Sequence, residues 1–171
     1  MSDFAHQLNL SQIRDGQRLD LSADEAERAA ITERLGLDGL ERFDAHVALE
    51  REGEKVRAAG RIRAVLTQSC VATGEAVPAH VDEPFEILFL PEPQVGADEE
   101  LELSDEDCDV VFHDGAAVDL GSALADTLGL ALDPYPRSPN ADEVLRSAGV
   151  LTEEQAGPFA ALAKLKGLAR E

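Results

Sequence analysis

Near the start of the chain, the apolar residues change from a strand-like period to a helical one. Apolar and polar residues alternate over residues 4–10, which predicts a short half-buried strand. Ser22 and Glu25 then have the spacing of a capping box, in which each side chain satisfies a free amide at the start of a helix. We therefore predict a helix over residues 22–35, with Gly36 ending it in the left-handed conformation.

Strand periodicity dominates the middle of the chain. Every second residue is apolar over residues 43–49 and again over 56–66, with Gly53 at the turn between them. A second turn at residues 73–75 leads to another alternating stretch at 77–89. Successive strands joined by short turns predict an antiparallel meander.

A loop and a second pair of strands follow the meander. Residues 92–107 are rich in carboxylates and have little periodicity, so we predict a mobile acidic loop there. Short apolar runs at 110–112 and 117–118 flank the turn pair Asp114-Gly115. This arrangement predicts a late hairpin.

The last third of the chain has helical signals interrupted by prolines. Leucines at every fourth position predict a helix over residues 120–132, capped by Asp119. Residues 134–171 predict a proline-rich connector and a C-terminal helical tail, in which Pro158 opens the last helix. This helix either packs on its own domain or binds a partner. The predicted partner-binding residues combine apolar and basic side chains and are Phe159, Leu162, Lys164, Leu165 and Lys166.

Together these elements predict one α+β domain over residues 1–171. Its mainly antiparallel sheet, made of the meander and the late hairpin, has the 22–35 and 120–132 helices on one face. A chain of this length can form a core without metal or disulfide. Cys70 and Cys108 predict free thiols in a reducing cytoplasm, and no apolar stretch approaches the ~20 residues that cross a bilayer.

Charge restricts the class of partner. The chain has 35 acidic and 15 basic residues, and no lysine or arginine lies between Ala64 and Pro136. Nucleic acids are held mainly by lysine and arginine at their phosphates, so this composition disfavours binding to naked nucleic acid. The expected partner is a basic protein, and the composition does not indicate an oligomeric state.

Candidate catalytic and ligand sites have weak signals. Zinc needs closely spaced cysteine or histidine pairs, which are absent, so we predict no metal and no cofactor. Asp105–Asp109 could bind a divalent metal in an RNA-processing enzyme, but a solvated acidic face is the simpler interpretation. Cys70 could be a nucleophile beside a histidine, but no cysteine-hydrolase signature surrounds it, and a small buried structural thiol is the favoured interpretation. We predict no catalytic residue.

Three arginines on the second meander strand leave one alternative open. They can pair across the sheet with Asp44 and Glu50 of the first strand, which would make a salt-linked surface. They could instead contact an RNA backbone directly. The three residues are Arg57, Arg61 and Arg63.

Three segments together resemble the YceD-like family, the large ribosomal RNA subunit accumulation proteins. The first is Gly60-Arg-Ile-Arg-Ala-Val-Leu-Thr-Gln-Ser-Cys70-Val-Ala-Thr73-Gly-Glu-Ala-Val77, leading into Phe85-Glu-Ile-Leu-Phe89. The second runs from Val118-Asp-Leu120 to Leu130-Ala-Leu-Asp-Pro134-Tyr-Pro136, and the third is Pro158-Phe-Ala-Ala-Leu-Ala-Lys-Leu-Lys166.

This resemblance implies a non-catalytic factor in ribosome biogenesis. It would support the synthesis, processing or stability of large-subunit ribosomal RNA by binding a basic ribosomal protein or a nascent ribonucleoprotein. Relatives carry a CxxC pair where this chain has Cys70 and Thr73, and many have further cysteines where it has Arg137-Ser-Pro-Asn140. The resemblance therefore implies no metal site in this chain.

Overall fold

A computed structural model describes Phe4, residues 6–92 and residues 109–150. The strands are β1 (Gln7–Asn9), β2 (Gln17–Ser22), β3 (Gly39–Glu52), β4 (Lys55–Ser69), β5 (Ala76–Pro91), β6 (Asp109–His113) and β7 (Ala117–Asp119). The α-helices are α1 (Glu25–Leu35), α2 (Leu120–Ala131) and α3 (Ala141–Ser147), and a 3-10 turn covers Leu10–Gln12.

Contacts divide the chain into two compact units. The first contains residues 1–68 and 78–134, and the second contains residues 69–77 and 135–171. The single domain predicted for residues 1–171 stays a prediction. The predicted acidic loop at 92–107 falls almost entirely outside the described residues, as does the predicted C-terminal helix.

Five strands of the first unit form one sheet in the order β2-β3-β4-β5-β6. β3 pairs antiparallel with both β2 and β4, and β6 pairs parallel with β5. β1 and β7 form a separate antiparallel pair. The predicted α+β class, dominated by antiparallel pairing, is confirmed.

The predicted late hairpin is wrong. The two strands around Asp114-Gly115 diverge, because β6 joins β5 and β7 joins β1. The Asp114 carboxylate accepts the N–H of Ala116 at 2.9 Å, and Leu10 donates its N–H to the carbonyl of Ala116 at 3.0 Å. These bonds turn the chain toward β1 before a hairpin ladder can form.

The start of α1 also differs from the prediction. Asp24 is the N-cap, and it forms a reciprocal capping box with Glu27, with both hydrogen bonds at 2.8 Å. Ser22 instead ends β2 and donates its hydroxyl to Asp44 at 2.7 Å. Residues 17–21 of β2 therefore had no predicted element, and Ser22 had been assigned to the helix. Gly36 has φ 63° and ends α1 as predicted.

Alternation along β3 and β4 gives the sheet one apolar face and one charged face. Ala45 lies opposite Ile62 and Leu49 opposite Ala58, and all four are buried. Ile31 of α1 belongs to the same core as Leu120, Leu124 and Leu128 of α2, so the helices cover this face as predicted. The predicted cap of α2 is confirmed, because the Asp119 carboxylate accepts the N–H of Ser122 at 2.9 Å.

Gly60 allows the closest approach of backbone within the sheet. It lies opposite Val47, and a Cβ atom at position 60 would lie 1.8 Å from the carbonyl oxygen of His46. That oxygen belongs to a strand paired on both sides, so it cannot move without breaking ladder hydrogen bonds.

We predict that Gly60→Ala lowers the free energy of unfolding by about 2–3 kcal/mol, because the added methyl group overlaps the backbone of β3. Gly39→Ala is the matched control, since nothing lies within 4 Å of a Cβ at that strand position. It should be neutral or stabilising by up to about 1 kcal/mol. Urea denaturation followed by circular dichroism measures both, and equal stability of the two variants would contradict the packing argument.

Candidate functional site

The charged face is the polar side of the five-stranded sheet, opposite the helices. Arg57, Arg61 and Arg63 project from β4, and their side chains are about half exposed. Carboxylates from β3 and β5 lie on both sides of them. The charged face is defined by Asp44, His46, Glu50, Arg57, Arg61, Arg63, Asp82 and Glu86.

Each of the three β4 arginines is paired with a carboxylate. Arg57 contacts Glu50 at 3.1 Å and Glu86 at 2.8 Å, so the predicted partner on β3 is confirmed. Arg61 donates to Asp82, and Arg63 lies 3.6 Å from the same carboxylate. The face is therefore linked by ion pairs across three strands.

The predicted pairing of these arginines with Asp44 is wrong. Asp44 lies opposite Arg63 in the register, but its carboxylate accepts hydrogen bonds from Ser22 and Arg42. Burial raises the pKa of Asp44, and the bonds from Ser22 and Arg42 outweigh this and lower it overall. Arg63 turns instead toward Asp82 on β5.

Electrostatics keeps these pairs ionised. The hydrogen bond from Arg61 lowers the pKa of Asp82 below its ordinary value. Glu86 and then Glu50 raise the pKa of Arg57. Exposed pairs of this kind contribute little to stability, so their main effect is to neutralise positive charge that would otherwise face solvent.

Two histidines, His46 and His113, have structural partners. His46 pairs with Asp20 on the charged face. His113 is buried, its Nε2 donates to the carbonyl of Glu54 at 2.8 Å, and its Nδ1 accepts the N–H of Gly115 at 3.0 Å. Both ring nitrogens of His113 are occupied, which fixes one neutral tautomer and anchors the end of β6.

In the second unit, a hydrogen-bonded cluster surrounds Cys70. The thiol is free and buried, and its sulfur accepts the N–H of Ser138 at 3.2 Å and the hydroxyl of Ser138 at 3.4 Å. Thr73 contacts the Ser138 hydroxyl at 3.2 Å and donates to Glu75 at 3.2 Å. Asn140 closes the cluster by bonding both Ser138 and Glu75.

This cluster explains the ionisation of Cys70. Burial raises the pKa of the thiol, but the hydrogen bonds from Ser138 and Thr73 outweigh it and lower the pKa to about 6. Asn140, with smaller contributions from Ser138 and Thr73, lowers the pKa of Glu75. A buried sulfur that accepts hydrogen bonds from Ser138, with no histidine among the partners of the cluster, fits the structural role that the sequence favoured.

Sequence reasoning did not find several members of these two sites. Ser138 and Asn140 were assigned only to a connector, although they complete the Cys70 cluster. Asp82 and Glu86 were overlooked as partners of the arginines, although their spacing of four places both on one face of a strand. That spacing was the available signal.

Most of the other candidate residues lie outside the described ranges. Of the acidic run at 105–109, only Asp109 lies within the described residues. All five predicted C-terminal contact residues lie outside them. Across residues 6–92 and 109–150, no cluster of three histidines, cysteines or carboxylates could hold a metal ion. Within the same ranges, no helix is long and apolar enough to span a membrane.

The fold and its two bonded clusters define an α+β protein with a charged sheet face and a small cysteine-centred unit. The model of one protein family, described as "Large ribosomal RNA subunit accumulation protein YceD", matches residues 58–166. The chain therefore belongs to the YceD family. No curated protein and no solved structure gives a significant match.

We predict that Cys70 ionises with a midpoint near pH 6, because Ser138 donates two hydrogen bonds to its sulfur and Thr73 adds to the lowering of its pKa. The folded pKa is lower than that of an unfolded cysteine. The stabilisation is therefore complete above about pH 9 and is lost as the pH falls through 6. The ultraviolet absorbance of the thiolate measures the midpoint in a Cys108→Ser background, which leaves one titrating thiol.

Ser138→Ala is the informative variant for this titration. It removes the hydroxyl donor and retains the main-chain donor, so the midpoint should rise while some lowering remains. Ser147→Ala is the matched control, because that hydroxyl bonds the carbonyl of Val144, away from the sulfur. A wild-type midpoint near that of a free thiol, about 8.5, would contradict the assignment.

Proposed function

We propose that this protein is a non-catalytic ribosome-biogenesis factor that supports the accumulation of large-subunit ribosomal RNA by binding a basic ribosomal protein. The family to which the chain belongs is named for that accumulation. The basic partner is inferred from charge. A nascent ribonucleoprotein that displays such a protein would be bound in the same way.

The main support for this proposal is that the arginines of the charged face are already ion-paired. Arginine is the side chain best suited to phosphate, yet the arginines of β4 are already occupied by Glu50, Glu86 and Asp82. An incoming phosphate would have to displace carboxylates and would meet their negative charge. Arg34, Arg42 and Arg137 are also ion-paired, so they add no free cationic surface.

The excess charge of the protein is therefore acidic. With 35 carboxylates and 15 lysines and arginines in the chain, pairing of the arginines leaves carboxylates in surplus. Such a surface accelerates encounter with a basic protein and suppresses contact with nucleic acid. The association should weaken as salt increases.

No observation on the described residues favours an enzyme. The family name describes an accumulation factor, and the Cys70 thiolate is enclosed by hydroxyl and amide groups. A purified sample should therefore leave structured ribosomal RNA intact in the presence of magnesium. The segment from Phe159 to Lys166 stays a separate hypothesis for a second contact.

We predict that loss of this protein lowers large-subunit ribosomal RNA more than small-subunit RNA. Quantitative hybridisation to both RNAs in a deletion strain measures their ratio. Re-expression of the wild-type chain is the control and should restore the ratio. An unchanged ratio in the deletion strain would overturn the cellular role.

We further predict that the purified protein binds basic large-subunit proteins and not naked ribosomal RNA. Raising sodium chloride from about 50 to about 500 mM should weaken the protein complexes at least tenfold, because the attraction is electrostatic. The matched test for RNA is the triple variant Arg57→Ala, Arg61→Ala, Arg63→Ala. If RNA binds the wild type tightly and binds this variant poorly, the charged face is an RNA site and the proposal fails.

A further inference from the structure

β6 is an edge strand, and the structure shows which of its residues direct their main-chain N–H and C=O groups toward β5. Among the described residues it pairs with β5 alone. His113 is the register partner of Pro91, and its carbonyl accepts the N–H of the next residue, Glu92, at 3.0 Å. In a parallel ladder, a residue bonded in this way directs both of its main-chain groups toward the neighbouring strand.

Val110 and Phe112 direct their main-chain groups to the other side of the strand. They lie three and one residues before His113, so their N–H and C=O groups point away from β5 and toward the open edge. In the part of the chain that the structure describes, no hydrogen bond to these four groups is found outside the ladder with β5. Unpaired main-chain groups on an edge strand form a template for one more strand.

The side chains of the same two residues supply an apolar anchor. Val110 lies opposite Leu88 and Phe112 opposite Leu90, so the four share one face of the sheet. Leu90 is 3% exposed, whereas Phe112 is 49% exposed. An exposed aromatic ring beside an open edge is the kind of residue that provides most of the binding energy in protein interfaces.

The residues that flank this edge along the chain are acidic. Asp109 begins β6, Asp114 follows it, and Glu92 bonds to its end. No lysine or arginine lies between Ala64 and Pro136, a range that contains β5, β6 and β7. Edge strands are often protected by lysine, and this one has none.

The other edge strand lacks these properties. β2 carries Arg18, and its two leucines, Leu19 and Leu21, pack partly against the core. No large exposed apolar side chain lies on it. Within the five-stranded sheet, the combination of open main chain, exposed aromatic ring and flanking carboxylates is therefore found at β6 and not at β2.

We infer that an extended basic segment of a partner protein adds to β6 as a further strand, with an apolar side chain over Phe112 and cationic side chains near Asp109 and Asp114. This inference rests on the proposed function, because it locates the binding of a basic protein. Main-chain bonds to Val110 and Phe112 give affinity that does not depend on sequence, and the acidic border selects for basic segments.

The test uses the full chain and a synthetic peptide of alternating lysine and valine, with binding measured by isothermal titration calorimetry. Phe112→Ala should weaken binding about tenfold or more, and Phe112→Tyr should bind like wild type. Leu130→Ala is the matched control, because Leu130 is 77% exposed but lies on α2. Its dissociation constant should change by less than about twofold.

Two further arms test the main-chain bonds. Val110→Pro removes an outward N–H and keeps the ladder to β5, so it should weaken binding about fivefold. A peptide N-methylated at every second amide should bind poorly when the methyl groups replace the N–H groups that would donate to β6. The peptide methylated at the other set of amides should bind better. Hydrogen exchange at Val110 and Phe112 should be fast in the free protein and slow with the peptide.

Several outcomes would overturn the inference. Slow exchange in the free monomer would show that another segment of this chain covers β6, and concentration-dependent dimers would show that a second copy does. A glutamate-valine peptide that binds as tightly as the lysine-valine peptide would exclude β6 as the binding site. An unchanged dissociation constant for Phe112→Ala would exclude it as well. A short RNA competing at β6 would exclude a protein strand.

Failure of this inference is distinguishable from failure of the proposed function. If Phe112→Ala binds purified basic large-subunit proteins as tightly as the wild type does, the proposed function is retained and the binding site is not β6. If the wild-type chain binds neither those proteins nor the lysine-valine peptide, the basic partner itself is wrong.

Discussion

The register between β3 and β4 determines both the core and the charged face. Val47 lies opposite Gly60, and the backbone of β3 approaches Gly60 so closely that no larger residue fits. Side chains alternate along a strand, so a slip of one residue would place Arg57 and Arg61 in the core and expose Ile62. The missing side chain at position 60 therefore selects one arrangement, and the ion pairs of the opposite face can form only in it.

The parts of the fold that sequence could predict are those with strong local periodicity. The alternation in β3 and β4 and the leucine repeat of α2 each predict their element correctly, because burial of one face is visible in every second or fourth residue. β2 was missed because only Leu19 and Leu21 carry its pattern. Its stability comes from pairing with β3, a contact that no local window contains.

Other errors have the same origin. The turn at Asp114-Gly115 has the composition of a hairpin turn, but each flanking strand finds a more distant partner. In the candidate site, the sequence could predict that the arginines pair with carboxylates. It could not predict which carboxylate each arginine contacts. That choice depends on β5, whose position beside β4 supplies Asp82 and Glu86. Likewise, the contact between the hydroxyl groups of Thr73 and Ser138 joins residues that are far apart in the sequence, so no local pattern could predict it.

The pairing of β1 with β7 has a consequence for the order in which the chain acquires structure. Gln7 lies opposite Asp119, so the two three-residue strands that pair lie at opposite ends of a long stretch containing α1 and the whole five-stranded sheet. Closing so long a loop for so few bonds is favourable only after the intervening sheet has brought the ends together. On the ribosome, Phe4 must therefore wait for α2 to be synthesised before it can enter the core. Until then the N-terminal strand is available to chaperones and proteases, and its burial marks the completion of folding of the first unit.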